Sequence, residues 1–119
     1  RAELANGLID EMRRKLELKS FTQGELYYKI GQYQAAVTSF QNTLKDFPES
    51  KKVEEIRFLI LKSSFILASN SIYEKQAERY NETIAHYNTF VKKHPNSKWK
   101  KDANTIEKET LAELKKFKA

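Results

Sequence analysis

The sequence contains two histidines, which are its strongest candidates for metal binding or acid–base chemistry. His86 lies four residues after Glu82, a spacing that puts both side chains on one helix face, where they could share a metal ion. No third ligand is apparent, so we interpret His86 as an exposed helix-surface residue. His94 precedes Pro95 at a predicted helix end, where the helix dipole stabilises a cation. We therefore predict no metal site and no cofactor.

The sequence lacks the usual residues of catalysis. Cysteine is absent, no glycine-rich phosphate loop occurs, and no acid pair stands apart from the scattered glutamates. We predict that the chain is not an enzyme and has no small-molecule substrate.

A basic cluster surrounds the one tryptophan. Trp99 is flanked by Lys98, Lys100 and Lys101, and residues 92–119 hold nine lysines against four acids. Basic residues beside an aromatic ring can bind nucleic acid through phosphate contacts and base stacking. The indole could equally pack on the preceding helices. The lysines would then form a solvated helix face or attract an acidic protein. We favour packing and keep nucleic-acid binding as an alternative.

The composition indicates long helices. The 119 residues suffice for one domain, placed at residues 1–119, and include only three glycines and two prolines. The longest uncharged apolar run, residues 58–61, falls far short of the roughly 20 residues that span a bilayer. The chain begins with arginine and shows no signal sequence, so we expect a fragment of a longer protein.

The first helix is predicted from apolar residues that recur every four positions, at Leu4, Leu8, Met12 and Leu16. It should end near Gly31, because glycine tolerates left-handed dihedrals. The hairpin within this chain is too short to cover the start of that helix. We expect upstream repeats, a partner or a second copy of the chain to cover it.

Four further helices follow. The second should stop near Pro48, since proline disfavours helical geometry in the residue before it. Ser50 and Ser97 each stand before a new helix, where the hydroxyl can cap free backbone N–H groups. The last three helices are predicted over residues 51–69, 73–93 and 98–116. The prediction is an all-α fold of about five helices.

An internal repeat relates the second helix to the fourth. A shift of 47 residues overlays seven similar residues of 33–51 on residues 80–98. The first copy fits the tetratricopeptide pattern, in which two small residues let the helices of a hairpin cross closely. The matching residues are Gly24, Tyr27, Ala36, Phe40 and Pro48. We therefore predict antiparallel helix hairpins stacked as a short superhelix.

The two hairpins differ by an insertion. Their first helices overlay at a shift of 40 residues, which pairs Gly24 with Ser64, while their second helices overlay at 47. The difference predicts a seven-residue insertion at about residues 70–78 that lengthens the fourth helix at its N-terminus. Ser64 and Thr83 would then form the second crossing.

Stacked hairpins expose one helix of each pair on a concave face where partners can dock. In this chain those are the first, third and fifth helices. The candidate partner-binding residues on them are Glu25, Tyr28, Lys29, Phe65, Ser69, Lys100 and Asn104, and the basic cluster adds Lys98, Trp99 and Lys101.

Several segments together resemble the BamD family of outer-membrane assembly lipoproteins. These segments are residues 19–21, 26–37, 47–48, 58–64, 78–80 and 95–98, which include Leu26-Tyr27-Tyr28-Lys29-Ile30-Gly31 and Phe58-Leu59-Ile60-Leu61-Lys62. The resemblance covers nearly the whole chain and corresponds to the C-terminal half of such a protein.

The resemblance implies a periplasmic scaffold held to the inner leaflet of the outer membrane by a lipidated N-terminal cysteine, which lies outside this chain. In that family the C-terminal repeats engage the periplasmic domains of a barrel subunit, and the N-terminal repeats recognise substrates. Docking to such a protein partner is therefore expected here. A generic peptide-binding tetratricopeptide scaffold of another envelope complex and the basic nucleic-acid binder remain the alternatives.

Overall fold

Five α-helices make up almost all of the chain. The computed structural model describes residues 2–118, with side chains from residue 6 onward. The helices are α1 (Ala2–Lys29), α2 (Tyr33–Asp46), α3 (Val53–Ser69), α4 (Tyr73–Lys93) and α5 (Lys100–Leu114), and a 3-10 helix at Lys115–Phe117 follows α5. No strand occurs within residues 2–118, so the predicted all-α fold is confirmed.

The helices pack in chain order. α1 packs against α2, α2 against α3, α3 against α4 and α4 against α5, which also touches α3. Two hairpins, α1–α2 and α3–α4, thus stack in a tetratricopeptide-like manner, and α5 follows them. The radius of gyration is 16.7 Å, against about 13.5 Å for a compact domain of this length. The excess reflects α1, which has twice the residues of its partner α2.

The first hairpin crosses at Gly24 of α1. A Cβ atom at this position would lie 2.6 Å from Cδ1 and Cε1 of Phe40, well inside contact distance. Phe40 and Ala36 are fully buried in the same apolar cluster. Glycine is required here because any side chain would displace the aromatic ring, as the sequence pattern predicts.

A second glycine forms the turn between α1 and α2. Gly31 has a φ of +81°, in the left-handed region that favours glycine. The Gln32 N–H donates to the Tyr27 carbonyl at 2.9 Å, and the Gly31 N–H donates to the Tyr28 carbonyl at 3.2 Å. This pair of bonds is the Schellman motif, so α1 ends where the glycine predicts.

The second hairpin keeps a close crossing without glycine. Ser64 and Thr83 are buried, and their hydroxyls share a hydrogen bond of 3.2 Å. The Thr83 hydroxyl donates to the Arg79 carbonyl, so Ser64 is the donor between the two side chains. α4 has 21 residues against 14 in α2, which confirms the predicted lengthening by seven residues.

The segments after α2 and α4 repeat the same conformation. Phe47 and His94 follow the two helices with the same φ of −133° and ψ of 62° and 63°. Three residues later, Ser50 donates to Glu17 at 2.7 Å and Ser97 donates to Glu54 at 2.6 Å.

The two glutamates lie 37 residues apart, whereas the serines lie 47 apart. The glutamates of these contacts are therefore offset by three residues, about one helical turn, from the shift of 40 that pairs Gly24 with Ser64. The sequence overlay aligned the small residues of the crossing and did not predict these serine–glutamate contacts.

Ser50 and Ser97 each cap a free backbone N–H, as predicted, but in the turn before the helix and not at its N-cap residue. α3 and α5 begin after Lys52 and Trp99, and no side chain caps either helix. Instead, each serine hydroxyl accepts the N–H of the residue two positions later at 3.1 Å, which closes a turn before the helix. This turn explains why α5 begins at Lys100, two residues later than predicted.

Two apolar clusters form the core, and α3 contributes to both. The first contains Phe21, Ala36, Val37, Phe40, Ile56 and Ile60, and the second contains Phe58, Leu61, Phe90, Ala103 and Ile106. On α4 the fully buried side chains are Tyr80, Thr83 and Phe90, while Ile84, Tyr87 and Val91 of the predicted face are only partly buried. α3 is therefore the central helix of the fold.

The N-terminal half of α1 carries an exposed apolar stripe. Leu8, Ile9, Met12 and Leu16 each expose between 55% and 64% of their surface. Leu4, the first predicted member, lies outside the described side chains. The described part of the chain leaves these four side chains uncovered, as the sequence predicts.

Candidate protein-docking surfaces

The predicted basic residues gather at the N-terminal end of α5. Lys98, Lys100, Lys101 and Asn104 are exposed and line one shallow depression, together with Ser97, Thr105 and Lys108. The Tyr87 hydroxyl donates to Asn104 Oδ1 at 2.6 Å and ties that side chain to α4. Within residues 6–118 these lysines form no ion pairs, so their charge faces solvent.

Trp99 packs into the fold. Its indole stacks on Phe58 with ring centroids 5.7 Å apart and an interplanar angle of 12°. The Lys98 ammonium lies 4.6 Å from the Trp99 ring centroid. Trp99 also contacts the second core cluster. The indole therefore holds the start of α5 against α3, in agreement with the packing interpretation.

Glu25, Tyr28 and Lys29 lie in the last two turns of α1. Glu25 and Tyr28 are half-buried, and Lys29 is exposed. The Tyr28 ring meets Tyr33 edge-on at 5.6 Å, and the Lys62 ammonium of α3 lies 5.9 Å from the Tyr28 ring centroid. These contacts orient Tyr28 between the two hairpins.

Phe65 and Ser69 are engaged within the second hairpin. Phe65 lies 6.2 Å from the Tyr80 ring. The Ser69 hydroxyl donates to the Phe65 carbonyl at 3.0 Å and accepts from the Tyr80 hydroxyl at 3.3 Å. Ser69 remains exposed, whereas Phe65 is half-buried and packs against the second core cluster.

The ten predicted partner-binding residues form two groups. Ser97 bonds to Glu54, so the basic cluster lies beside the N-terminus of α3. Phe65 lies 11 residues farther along α3, which is about 16 Å at 1.5 Å per residue. The basic cluster on α5 is one surface, and the residues at the C-terminal ends of α1 and α3 are another.

A family model described as "Outer membrane lipoprotein" (YfiO) matches residues 21–117. The chain belongs to the YfiO family of outer membrane lipoproteins. The match spans α2 to α5 and the C-terminal part of α1, so both groups of candidate residues lie within the family unit. The exposed apolar stripe precedes it. A search of curated proteins found no match.

In this YfiO-family chain, no helix within the described residues is long and apolar enough to cross a membrane. The same residues contain no group of three or more acidic or histidine side chains that could hold a metal ion.

A polar network between α3 and the end of α4 is missing from the sequence-based prediction. Arg57 Nη1 donates to His94 Nε2 at 3.0 Å, and His94 Nδ1 lies 3.9 Å from Glu54 Oε1. Because Nε2 accepts a hydrogen bond, the imidazole of His94 is neutral. Burial and then the Arg57 charge lower the pKa of His94. The sequence predicted only an interaction of His94 with the helix dipole and did not predict these side-chain contacts, which favour the neutral imidazole.

His86 is not the exposed surface residue that was predicted. It is half-buried, and burial lowers its pKa while the Glu82 charge acts in the opposite direction. Its neighbours in space come from three helices and include Arg57. An arginine between the inward-facing Ile56 and Phe58 was the sequence signal that could have revealed this polar region.

Proposed function

We propose that this chain is a non-enzymatic scaffold of the machinery that assembles β-barrel proteins in the outer membrane. The observation that carries the proposal is the match of residues 21–117 to a family of outer membrane lipoproteins. The residues matched are those that build the stacked hairpins and the basic cluster. The proposed role is recognition of protein partners by this preformed helical surface.

The geometry suits such a role because the surface is rigid before a partner arrives. Trp99 and the Ser97–Glu54 bond fix the start of α5 on α3, so the lysines are presented by a packed element. A preordered surface loses less conformational entropy on docking than a flexible one. Unpaired lysines favour an acidic partner surface, and we propose the periplasmic domains of the barrel subunit as that partner.

In this proposal the full protein lies in the periplasm at the inner leaflet of the outer membrane. A lipid anchor outside this chain would hold it there, and the tetratricopeptide-like domain would extend toward its partners. The exposed stripe of Leu8, Ile9, Met12 and Leu16 would pack against a further protein surface, since an apolar area of this kind is usually covered.

Depletion of the protein in its native cells tests this function. We expect the folded outer-membrane β-barrel proteins to decrease together, as measured by heat-modifiable migration on gels. The level of other outer-membrane lipoproteins serves as the control. Unchanged barrel levels, with loss of a different envelope complex, would favour the generic peptide-binding scaffold instead.

Nucleic-acid binding has less support. Its stacking platform would be Trp99, and that ring is already stacked on Phe58. The lysines alone would provide only salt-dependent, sequence-independent attraction.

A further inference from the structure

A small polar cleft lies between α2 and α4, above α3. Its walls are Gln41, Leu44, Arg57, Ile60, His86 and Thr89, and its volume is about 160 Å³. Sites for drug-sized ligands are usually about 300–1,000 Å³. The cleft therefore has room for one side chain rather than for a metabolite.

Arg57 gives the cleft its charge. Its guanidinium offers five N–H donors, and one of them is bonded to His94 within the described residues. No carboxylate from residues 6–118 lies within 4.0 Å of the guanidinium. Burial lowers the pKa of Arg57. Glu54 of the same network contacts His94 and not the guanidinium, so this half-buried cation has no direct carboxylate partner among residues 6–118.

The remaining walls suit a carboxylate. Gln41, His86 and Thr89 can each donate a hydrogen bond, and they stand on the two helices that flank Arg57. Ile60 is buried below them, and an apolar floor strengthens charge-assisted hydrogen bonds. The arginine guanidinium can donate hydrogen bonds to both oxygens of a carboxylate at once.

We propose that this cleft receives the carboxylate of an acidic side chain from a protein partner. The site lies on α2, α3 and α4, apart from the lysines of α5, so it would add a second, position-specific contact to the docking proposed above. It needs a single projecting glutamate or aspartate, whereas the basic cluster attracts acidic surfaces in general. The inference does not depend on which protein the partner is.

The test uses N-acetyl-glutamate methylamide as the probe and its glutamine analogue as the neutral control, at constant ionic strength. NMR signals of the Arg57 Nε–H group and the His86 ring report on the cleft. We expect saturable shifts with a millimolar dissociation constant, since one half-exposed ion pair binds weakly. The glutamine analogue should produce no saturable shift.

Variants locate the binding. Arg57→Gln should abolish the saturable shifts of His86, and Arg79→Gln, which removes a guanidinium outside the cleft, should leave them unchanged. Arg57→Lys keeps the charge but lacks the planar guanidinium that can bind both carboxylate oxygens, so it should weaken binding several-fold. This variant provides a second measurement if Arg57→Gln does not fold. Absence of saturable shifts in the unmodified protein, or equal binding of the glutamine analogue, would overturn the proposal. Both outcomes are independent of barrel assembly.

Discussion

Gly24 and Phe40 approach each other so closely that no side chain fits between α1 and α2. A Cβ atom on Gly24 would meet two ring carbons of Phe40 at 2.6 Å, and the Phe40 ring is fully buried. A side chain at position 24 would therefore push the ring into the apolar cluster around it or move α1 away from α2.

We therefore expect Gly24→Ala to destabilise the fold. Overpacking a tight interior typically costs about 1–3 kcal/mol, which outweighs the gain of up to about 1 kcal/mol from alanine in a helix. Urea denaturation followed by circular dichroism measures the difference. Gly7→Ala is the matched control, because nothing lies within 4 Å of that position and alanine should stabilise α1 there. Equal effects of the two substitutions would contradict the close crossing.

Trp99 is expected to act in stability and not in nucleic-acid binding. Trp99→Ala removes the stack on Phe58 and should lower the free energy of unfolding by about 1–3 kcal/mol, less than for a fully buried tryptophan. Trp99→Phe should retain most of the stability. Because the chain has one tryptophan, its fluorescence reports directly on the ring. Quenching by an arbitrary oligonucleotide, with saturation, would reverse this assignment.

The helices and the hairpins could be predicted from the sequence because local chemistry determines them. Gly31 alone fits the left-handed turn that ends α1, and Pro48 limits α2. The small residues of the tetratricopeptide pattern predicted the crossing at Gly24. These features depend on steric demands that one residue imposes on its own backbone or on one neighbour.

The helix register and the polar network depend on pairs of residues far apart in the chain. No single residue of these pairs predicts its contact, because glutamate, serine and arginine are common on helix surfaces. The pairs are Glu17 with Ser50 and Arg57 with His94. The overlay of small residues gave a shift of 40, and it did not reveal that the glutamate–serine contacts recur at 37. The predicted partner-binding residues lie in two groups, the basic cluster on α5 and the C-terminal ends of α1 and α3.

Stability should fall as the pH decreases below the ordinary histidine range. The pKa values of His86 and His94 are both lowered in the folded protein, mainly by burial. The unfolded chain therefore binds more protons near its histidine pKa of about 6.5, and protonation favours unfolding. The stabilising effect is complete above that pKa and is lost as the pH falls through the lower folded values.

Urea midpoints at pH 7.5 and pH 5.5 measure this loss. The double variant His86→Gln and His94→Gln should show a smaller decrease between the two pH values than the unmodified protein. The surface variant Lys75→Gln is the control, since it changes charge without removing a histidine. A pH dependence that persists fully in the double variant would assign the effect to other groups.

The lysines at the start of α5 should govern the rate of association with an acidic partner. Replacement of Lys98, Lys100 and Lys101 by glutamate reverses the charge of three exposed side chains, and the one described ring contact it removes is that of Lys98 with Trp99. Electrostatic steering raises association rates by about 10-fold to 1,000-fold, and salt screens it. We expect the variant to bind the periplasmic domains of the barrel subunit at least about tenfold more slowly at low salt, as measured by stopped-flow fluorescence. The difference should shrink as salt is added.

The charge-matched control replaces Lys45, Lys51 and Lys75, exposed lysines outside this cluster, by glutamate and should slow association much less. Equal rates for the two triple variants would show that net charge, and not this surface, attracts the partner.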